Sequence, residues 1–584
     1  MIFLFEDGKH SHPVGRIVPR SAVPAWADVA AVALLALISL LVIYGVGQMR
    51  QPLTALTASQ VTLELQRLPE YALLTTLRMF AALAASLIFT FTVATLAAKS
   101  RKAELLIIPA LDILQSVPIL GFLTFTVIFF MNLFPGRQLG VECAAVFAIF
   151  TSQAWNMAFS FYQSLRTVPQ DLDDVSRQFN FSPWRRFIRL DLPFAMPGLV
   201  WNTMMSMSGG WFFVVASEAI TVGHTTVTLP GIGSWLALAI DRQDFAAVGW
   251  AVGAMAVVIL LYDQLMFRPI VAWADKFRFE QTASRERPRS WMYDLLCRTR
   301  LLPALIPMLL LPVRALVAIK WPRPRRLNPP RVNGRLSRIT DVVWIGFVAA
   351  GCVVASLVLI RFISTSLTVA DAVSTLGFAL ATLLRVVVLI AVASLIWVPI
   401  GVWIGLRPAW SERLQPIAQF LAAFPANVLF PFAVIVIIGL KLNPNIWLSP
   451  LMILGTQWYI LFNVIAGASA MPNDLKEAAQ MFQMRGWQWW RQVALPAIFP
   501  YFVTGALTAS GGSWNASIVA ESVSWGDKHL EAIGLGSFIA DATTAGDLPR
   551  VALGITVMSV FVVTINRVLW RPLYRFAERR LRLD

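Results

Sequence analysis

Long apolar stretches alternate with short polar segments along most of the chain. Apolar runs of about 20 residues are long enough to cross a bilayer as helices. In the first half such runs lie near residues 27–47, 72–98, 105–132, 141–163, 197–221 and 246–268. In the second half they lie near 340–362, 378–404, 415–440, 446–467, 499–523 and 551–570. The pattern predicts an all-α membrane protein with about twelve transmembrane helices.

The positions of the basic residues predict how the helices are oriented. The chain is 57% hydrophobic and 14% charged, with a formal net charge of +16. Positive charge is concentrated between spans, at Lys99–Lys102, at Arg185 and Arg186, after Phe267, and in the tail from Arg571. With six spans per half these segments share one side, which the positive-inside rule assigns to the cytoplasm. We therefore expect a multi-pass protein of the bacterial inner membrane with both termini cytoplasmic.

The same charge distribution argues against a nucleic-acid partner. The aromatic residues lie inside the apolar runs and not among the basic residues, whereas nucleic-acid surfaces combine the two. We expect membrane lipid, and no nucleic acid, as a contact of this chain. The three cysteines are isolated from one another in sequence, and no metal site is expected.

A basic linker, residues 270–338, separates a first repeat, 1–269, from a second repeat, 339–584. Within it, Leu301–Val313 is apolar but short, and it contains Pro303, Pro307 and Pro312. A span there would invert the second half and place its basic loops outside the cell. We interpret residues 301–321 as an interfacial segment on the inner leaflet, with a buried re-entrant segment as the alternative.

An internal repeat relates the two halves. Arg78, Pro109 and Pro118 match Arg385, Pro416 and Pro425 at a constant offset of 307 residues. After one small length difference the offset becomes 303 residues, and the register then holds from Pro169 and Pro472 to Gly223 and Gly526. Because each half has an even number of spans, we predict two parallel six-helix repeats whose interface is the natural place for a translocation path.

A polar loop of about thirty residues follows the fourth predicted span in each half. Each copy predicts two short helices that meet at a bend, with Asp171 or Asp474 capping the first, and with Ser182 and Pro183 starting the second in the first copy. The aromatic residues of the loops are Phe179, Trp184, Phe187, Phe482, Trp487 and Trp490. An isolated copy would be interpreted as an ordinary surface helix, but two matched copies favour a docking surface.

The loops resemble the EAA motif of binding-protein-dependent ABC importer permeases, which reads Glu-Ala-Ala, a glycine further on, and then Leu-Pro. The second copy matches at Glu477–Ala479 and at Leu495-Pro496, whereas the first has Asp174-Val175-Ser176. Asn180 and Gln483 occupy the glycine position. Asn tolerates the left-handed conformation better than Gln does, which makes Gly486 a candidate for the second bend.

The resemblance implies that these loops are coupling helices that dock into ATPase subunits. The expected docking residues are Asp171, Asp174, Asn180, Trp184, Arg185, Asp474, Glu477, Ala478, Ala479, Gln483, Gly486 and Trp487. The sequence lacks a Gly-x-x-x-x-Gly-Lys-Ser/Thr motif, so ATP and Mg²⁺ are expected on a partner ATPase, in two copies. A separate periplasmic or lipid-anchored binding protein is also implied. The chain itself is expected to be a transport subunit without catalytic residues.

The second half is similar to the nitrate/sulfonate/taurine type of permease at Ala520-Glu521 and at Gly534–Ile539. This similarity implies a small anion such as nitrate, a sulfonate or a related organic acid as the solute. Fused two-half permeases for ferric iron or thiamine are the alternative within the family. A twelve-span secondary transporter is the alternative from another class, but it needs charges deep in the spans and leaves the two matched loops unexplained.

The fifth span of each repeat supplies the candidate path and gate residues. These are Ser206, Ser208, Gly209, Trp211 and Glu218, with Ser510, Gly512, Trp514, Asn515 and Glu521 in the second repeat. The small residues suit either close helix packing or a narrow polar passage. The tryptophans suit either packing or a gate. The glutamates either orient an outer gate and engage the binding protein, or pair structurally with an arginine or backbone amides.

Overall fold

The computed structural model describes residues 26–49, 61–222, 225–277, 290–299 and 334–580. The predicted interfacial segment at 301–321 and most of the basic linker lie outside the described residues. The same is true of both chain ends, so their expected cytoplasmic location stays a prediction.

The described residues of the first half are almost entirely helical. Its helices are α1 (Trp26–Met49), α2 (Leu68–Phe89), α3 (Thr95–Lys99), α4 (Arg101–Ser116), α5 (Ile119–Leu133), α6 (Leu139–Arg166), α7 (Gln170–Gln178), α8 (Pro183–Arg186), α9 (Leu192–Glu218), α10 (Ile232–Asp241), α11 (Phe245–Tyr262), α12 (Arg268–Ala274) and α13 (Trp291–Arg298). The strands β1 (Ala219–Val222) and β2 (Thr225–Thr228) form an antiparallel hairpin between α9 and α10.

The second half repeats this order. Its helices are α14 (Gly334–Ile363), α15 (Val369–Gly405), α16 (Pro408–Ala423), α17 (Phe430–Gly439), α18 (Pro444–Trp447), α19 (Ser449–Leu454), α20 (Gln457–Ser469), α21 (Asn473–Met481), α22 (Gly486–Trp489), α23 (Leu495–Ala520), α24 (Leu535–Thr544), α25 (Leu548–Ile565) and α26 (Arg571–Arg580). A second antiparallel hairpin, β3 (Ser522–Trp525) and β4 (Lys528–Glu531), lies between α23 and α24.

Every predicted span coincides with a helix or with a bent helix pair. Within the described residues, seven helical stretches are long and apolar enough to cross a membrane, and three bent pairs raise the total to ten. The other two predicted spans are α6 and α9, which are 28 and 27 residues long. These two helices carry polar residues such as Glu142, Asn156 and Asn202, as expected of helices that face protein and not lipid.

Proline explains where the third span breaks in each repeat. The two helices of this span are bent relative to each other by 105° before α5 and by 80° before α17. Val117 and Phe424, which precede Pro118 and Pro425, have extended backbones with ψ of 129° and 126°. A residue before proline is forced out of the helical region, so the helix ends there and restarts at a new angle.

Local backbone features confirm the repeat. The π-helical turns Phe187–Asp191 and Trp490–Ala494 lie 303 residues apart, as do Asp263–Phe267 and Asn566–Trp570. Asn180 and Gln483, also 303 residues apart, have positive φ angles of 50° and 53°. The fold class predicted from the sequence, a helical membrane protein built from two repeats, is confirmed.

Two structural corrections concern helix starts. Pro169 and Pro472 are the N-cap residues of α7 and α21, so Asp171 and Asp474 lie in the first turn and do not cap the helices. They still face the positive end of the helix dipole. The fifth spans, predicted near 197–221 and 499–523, begin earlier than expected. Their helices α9 and α23 start at Leu192 and Leu495, so Pro197 and Pro500 lie inside them.

The described residues form two compact units that do not coincide with the repeats. Of the described residues, one unit comprises 26–48, 163–201, 261–277, 290–299 and 334–337, and the other comprises 49, 61–162, 202–222, 225–260 and 338–580. In the former, α13 packs on α12, and Trp291 Nε1 donates to Gln264 Oε1 over 3.3 Å. The latter contains the core between α15, α20 and α23, where Ile404, Leu461 and Ile465 are buried.

Candidate translocation and coupling sites

Glu218, at the end of α9, lies in a fully buried polar network. Its Oε1 accepts hydrogen bonds from Thr75 Oγ1 and Arg78 Nη1, both over 2.7 Å, and its Oε2 accepts from the backbone N–H of Gly233 over 2.7 Å. Arg78 also donates to both carboxylate oxygens of Glu142, over 2.6 and 2.8 Å. The network ties α2, α6, α9 and α10 together.

Glu521 occupies the equivalent place in the second repeat, with a difference in charge. It accepts from Thr382 over 2.8 Å, from Arg385 Nη1 over 2.9 Å and from the Gly536 N–H over 2.7 Å. The counterpart of Glu142 is Asn445, whose Oδ1 accepts from Arg385 Nη2 over 3.3 Å. The first network thus has one cation and two anions, and the second has one of each.

Two glycines are required for these glutamates to fit. A Cβ atom at Gly231 would lie 2.3 Å from the carboxylate of Glu218, and one at Gly534 would lie 2.2 Å from that of Glu521. Of the two roles open for Glu218 and Glu521, the structure therefore shows the pairing with an arginine and a backbone amide. Sequence reasoning did not include Arg78 and Arg385 among the site residues, although their match within the repeat was the signal that identifies them.

One face of α9 lies against the second repeat. Met205 packs on the cluster that contains Leu461, Gly209 approaches Tyr459, and the carbonyl oxygen of Phe212 accepts from Asn427 Nδ2 over 3.3 Å. These α9 positions are four and three residues apart, so they share one side of the helix. The structure thus places Gly209 at the boundary between the repeats.

The second repeat makes the reciprocal contact. Asn515, the counterpart of Phe212 at the offset of 303, accepts through Oδ1 from the backbone N–H of Ile119 over 2.7 Å. Ile119 is the first residue of α5, beyond the proline break of the first repeat. In both directions, then, the fifth span of one repeat holds the broken third span of the other, and Asn515 lies at the same boundary as Gly209.

The remaining candidate path residues have other surroundings. Ser206 accepts from Asn156 within its own repeat over 3.2 Å, and Ser208 donates to the carbonyl of Met204 over 3.3 Å. The buried residues include Ser206, Trp211, Ser510 and Trp514, and a Cβ atom at Gly512 would meet Thr456 at 2.4 Å. The ring of Trp514 lies 6.3 Å from that of Phe561. The tryptophans therefore occupy packing positions in the described structure.

A further contact between the repeats involves the tip of the second hairpin. The N–H of Gly526 donates to the carbonyl oxygen of Ile240 over 3.0 Å, and Gln243 Nε2 donates to that of Trp525 over 3.3 Å. The rings of Trp525 and Phe245 lie 4.7 Å apart. The β3–β4 hairpin thus rests on the junction of α10 and α11, at the side that the predicted orientation places outside the cell.

An exposed cluster lies on the same hairpin and on α24. The ligand-type atoms of His529, Glu531 and Asp541 all lie within 4.8 Å of one another. His529 Nε2 is 2.7 Å from Glu531 Oε1. Partial burial, and secondly the charge of Glu531, raise the pKa of Asp541 above its ordinary value, and His529 opposes this shift.

The two loops that resemble the EAA motif are called coupling loops here, after the role that the resemblance implies; the first contains α7 and α8 and the second α21 and α22. The first coupling loop has the predicted two-helix form. Ser182 caps α8 by accepting from the N–H of Arg185 over 3.3 Å, as predicted. Asp173 accepts from Arg177 over 2.6 Å and also pairs with Arg186 across the bend. The exposed aromatic side chains here are Phe179 and Trp184, and Trp184 stacks on Phe187. The loop is thus braced internally and presents an aromatic surface.

The motif residues Glu477–Ala479 of the second coupling loop differ in their exposure to solvent. Ala479 is buried in a cluster with Met471, Val493 and Ala497, whereas Glu477 is exposed. The counterpart of Ala479 in the first loop is Ser176. It is also buried, and its hydroxyl donates to the Asp173 carbonyl over 2.7 Å. The last motif position, Ser176 or Ala479, must therefore be small. The first position in the second loop, Glu477, is accessible to a partner.

The bends form without the motif glycine. The N–H groups of Phe181 and Met484 donate to the carbonyls of Ser176 and Ala479 over 3.1 and 2.9 Å, which is the pattern of a Schellman helix end. This closure holds both Asn180 and Gln483 in the left-handed region. Gly486 also has a positive φ, of 58°, so it adds a second left-handed residue and does not replace Gln483.

Curated relatives of this chain are permease proteins. The bicarbonate transport system permease protein CmpB of Synechococcus elongatus is 29% identical over 192 residues, which are 33% of this chain and 66% of the relative. The nitrate import permease protein NrtB of Leptolyngbya laminosa is 28% identical over 186 residues, 32% of this chain and 63% of the relative. The chain thus covers just under two thirds of these relatives.

A further relative is named for a different solute. The glycine betaine/proline betaine transport system permease protein ProW of Escherichia coli is 28% identical over 163 residues, 28% of this chain and 41% of the relative.

The family profile described as "Binding-protein-dependent transport system inner membrane component" matches twice, at residues 90–267 and 397–583. The two matches cover more than half of the chain, and each contains one coupling loop and one fifth span with its buried glutamate. The chain therefore belongs to the family of binding-protein-dependent transport system inner membrane components.

Proposed function

We propose that this chain is the transmembrane subunit of an ATP-driven importer that carries a small anion delivered by a binding protein. A separate ATPase, in two copies, drives the transport. The observation that carries the proposal is the pair of matched coupling loops, each with a left-handed bend and exposed aromatic side chains, within a chain of this family.

Two exposed aromatic surfaces support docking to an ATPase. In the second loop, Phe482 and Trp487 are 76% and 74% exposed. Leaving such large apolar groups in water is unfavourable, and a groove on a partner protein would bury them. Since there is one such loop in each repeat, two ATPase subunits are the matching number. ATP and Mg²⁺ would bind to those subunits and not to this chain.

The charge distribution near the path supports an anionic solute. The carboxylates of Glu218 and Glu521 are buried and bonded to Arg78 and Arg385, so neither is exposed to a passing ion. The boundary face of the fifth spans carries Gly209 and the amide of Asn515. The relatives named for bicarbonate and nitrate import suggest which small anions to test first.

Relatives named for osmoprotectant and betaine import favour a second candidate solute. Glycine betaine carries a carboxylate together with a quaternary ammonium, which aromatic faces typically bind. The boundary positions of the fifth spans, Gly209 and Asn515, form no aromatic cage, so we place the simple anion first and include betaine as a comparison.

In the proposed mechanism, the chain transmits the motion of the ATPase subunits and forms the translocation path. Closure of two ATPase subunits on ATP moves the two coupling loops. The repeats then rock against each other, so that the path between them opens alternately to the outside and to the inside. The reciprocal contacts of the fifth spans with the broken third spans are the contacts that this motion changes.

The test is uptake by proteoliposomes that contain the chain, its ATPase and its binding protein. Radiolabelled bicarbonate, nitrate and glycine betaine are offered separately, with ATP and with a non-hydrolysable analogue. We expect ATP-dependent accumulation of one of the two anions. Uptake driven by an ion gradient without ATP would support a secondary transporter instead, and accumulation of betaine alone would replace the anion with the second candidate.

A further inference from the structure

Tyr459, near the start of α20, reaches across the boundary between the repeats. Its phenol oxygen lies 3.1 Å from the position that a Cβ atom would take at Gly209 of α9. Among the described residues, apart from the chain neighbours of Gly209 and the helix's own backbone, this oxygen is the heavy atom that comes within 4 Å of that position. The hydroxyl of one repeat thus faces the bare backbone of the other, and any side chain at Gly209 would close the gap between them.

The Tyr459 hydroxyl makes no hydrogen bond within the part of the chain that the structure describes. Its neighbour Asn463 donates to the Tyr459 backbone carbonyl and not to the hydroxyl. The side chain is only partly buried, although it lies within the helix bundle. The hydroxyl is therefore available to donate a hydrogen bond in the space between the two repeats.

Comparison of the repeats shows why the Tyr459 hydroxyl has no side-chain partner on α23. The counterpart of Tyr459 is Asn156, which donates to Ser206 on the neighbouring fifth span over 3.2 Å. In the second repeat the position of Ser206 is occupied by Ala509, which offers no side-chain acceptor. The polar group at this level of α20 is therefore directed across the boundary and not toward its own repeat.

The next turn shows the same replacement. Ser160 accepts from Asn202 over 2.8 Å in the first repeat. Their counterparts are Asn463 and Gly505, and a Cβ atom at Gly505 would lie 2.7 Å from the carbonyl oxygen of Tyr459. The close approach of α20 and α23 at Gly505 positions the backbone that carries Tyr459.

We propose that the Tyr459 hydroxyl donates a hydrogen bond to the anion as it passes between the repeats. This inference rests on the proposed function and names one specificity-determining residue of its path. A phenol O–H is a strong donor to an anion and carries no charge at neutral pH, so it binds without holding the solute tightly. Gly209 supplies the space opposite the donor.

The test compares Tyr459→Phe with Tyr501→Phe in the proteoliposome uptake assay. Tyr459→Phe removes only the hydroxyl, and Tyr501 is an exposed tyrosine on α23 that serves as the matched control. Because a hydrogen bond to a charged group is lost, we expect Tyr459→Phe to lower anion uptake about tenfold at saturating binding protein. ATP hydrolysis without binding protein and the melting temperature should not change. Tyr501→Phe should leave all three quantities unchanged.

A second variant tests the space rather than the donor. Gly209→Ala places a methyl group 3.1 Å from the hydroxyl oxygen, and we expect it to lower uptake as well. Normal uptake in Tyr459→Phe would overturn the inference, as would a loss of uptake matched by a fall in melting temperature, which indicates a structural role. If the unmodified chain fails to accumulate either anion, the proposed function fails, and that result is separate from any effect of Tyr459.

Discussion

The side-chain oxygen of Asn515 accepts a hydrogen bond from the backbone N–H of Ile119 over 2.7 Å, and these residues belong to different repeats. The N–H of Ile119 is at the start of α5, where no helical carbonyl is available to it. We predict that Asn515→Leu destabilises the protein by about 1–3 kcal/mol, because this N–H is then left without an acceptor. Thermal unfolding in detergent measures the effect. Asn515→Asp keeps an acceptor and is the control. Equal melting temperatures for Asn515→Leu and the unmodified chain would show that the bond is not important.

The two buried arginines should differ in what their loss costs. Arg78 is fully buried between two carboxylates, whereas the Arg385 side chain is 13% exposed and pairs with one. Arg78→Gln leaves two buried carboxylates without a cation, so we expect a destabilisation of about 3–5 kcal/mol. Arg385→Gln should cost clearly less. The two variants are compared by thermal unfolding under the same conditions. A larger loss from Arg385→Gln would contradict the charge difference between the networks.

Trp487 should matter for coupling and not for folding. Its side chain is 74% exposed, so Trp487→Ala removes little buried surface and should leave the melting temperature unchanged. If the side chain fills a groove on an ATPase, the substitution weakens docking by about 2 kcal/mol or more and lowers ATP-driven uptake. Trp447→Ala, at an exposed tryptophan of α18, is the matched control. Unchanged uptake in Trp487→Ala would remove this residue from the docking surface.

Gly526 should resist substitution for two reasons. Its φ of +56° is unfavourable for other residues, and a Cβ atom would lie 2.2 Å from Gln243 Nε2. We expect Gly526→Ala to lower stability by about 1–2 kcal/mol, from backbone strain together with loss of the hairpin contact. Adding Gln243→Ala should recover the stability lost through the steric clash but not the stability lost through backbone strain. If the double variant is no more stable than Gly526→Ala, the contact with Gln243 is not the cause.

Asp541 should make stability depend on pH. Partial desolvation of this largely exposed carboxyl raises its pKa, with Glu531 as the second cause, so the folded protein binds a proton more readily than the unfolded chain does. The charged form therefore costs stability at neutral pH, and this cost disappears as the pH falls below the ordinary range of an Asp. Asp541→Asn should raise the melting temperature at pH 7.5 and have little effect at acidic pH.

Asp547 is the control for that experiment. It caps α25 by accepting from the N–H of Arg550 over 3.2 Å, so Asp547→Asn should not stabilise the protein. A melting temperature that falls in Asp541→Asn at pH 7.5 would mean that the electrostatic attraction between Asp541 and His529 outweighs the cost of the charge.

The spans, the repeat and the two-helix loops could be predicted from the sequence because each rests on a local signal. Apolar runs, Pro118 and Pro425, and the register of Trp184 with Trp487 are all visible along the chain. The π-helical turns at Phe187 and Trp490, which lie where the loops join the fifth spans, carry no such signal.

The partners of the buried glutamates could not be derived in the same way. Glu218 and Arg78 are 140 residues apart, and only the fold brings them together. The small-residue pattern of α9 likewise did not distinguish Gly209, which faces the other repeat, from Ser206, which pairs within its own. That distinction depends on helix rotation, which an apolar helix of this kind does not reveal through its sequence.

The most direct test of the central claim is the mass of the complex that the full chain forms in its native membrane. Native mass spectrometry of the gently solubilised, tagged chain measures the number of ATPase subunits bound to it. The account predicts one chain with two ATPase subunits, and loss of ATPase from the Trp487→Ala variant. A chain that is recovered alone, or with a single ATPase subunit and no change in Trp487→Ala, would contradict the assignment of two coupling loops.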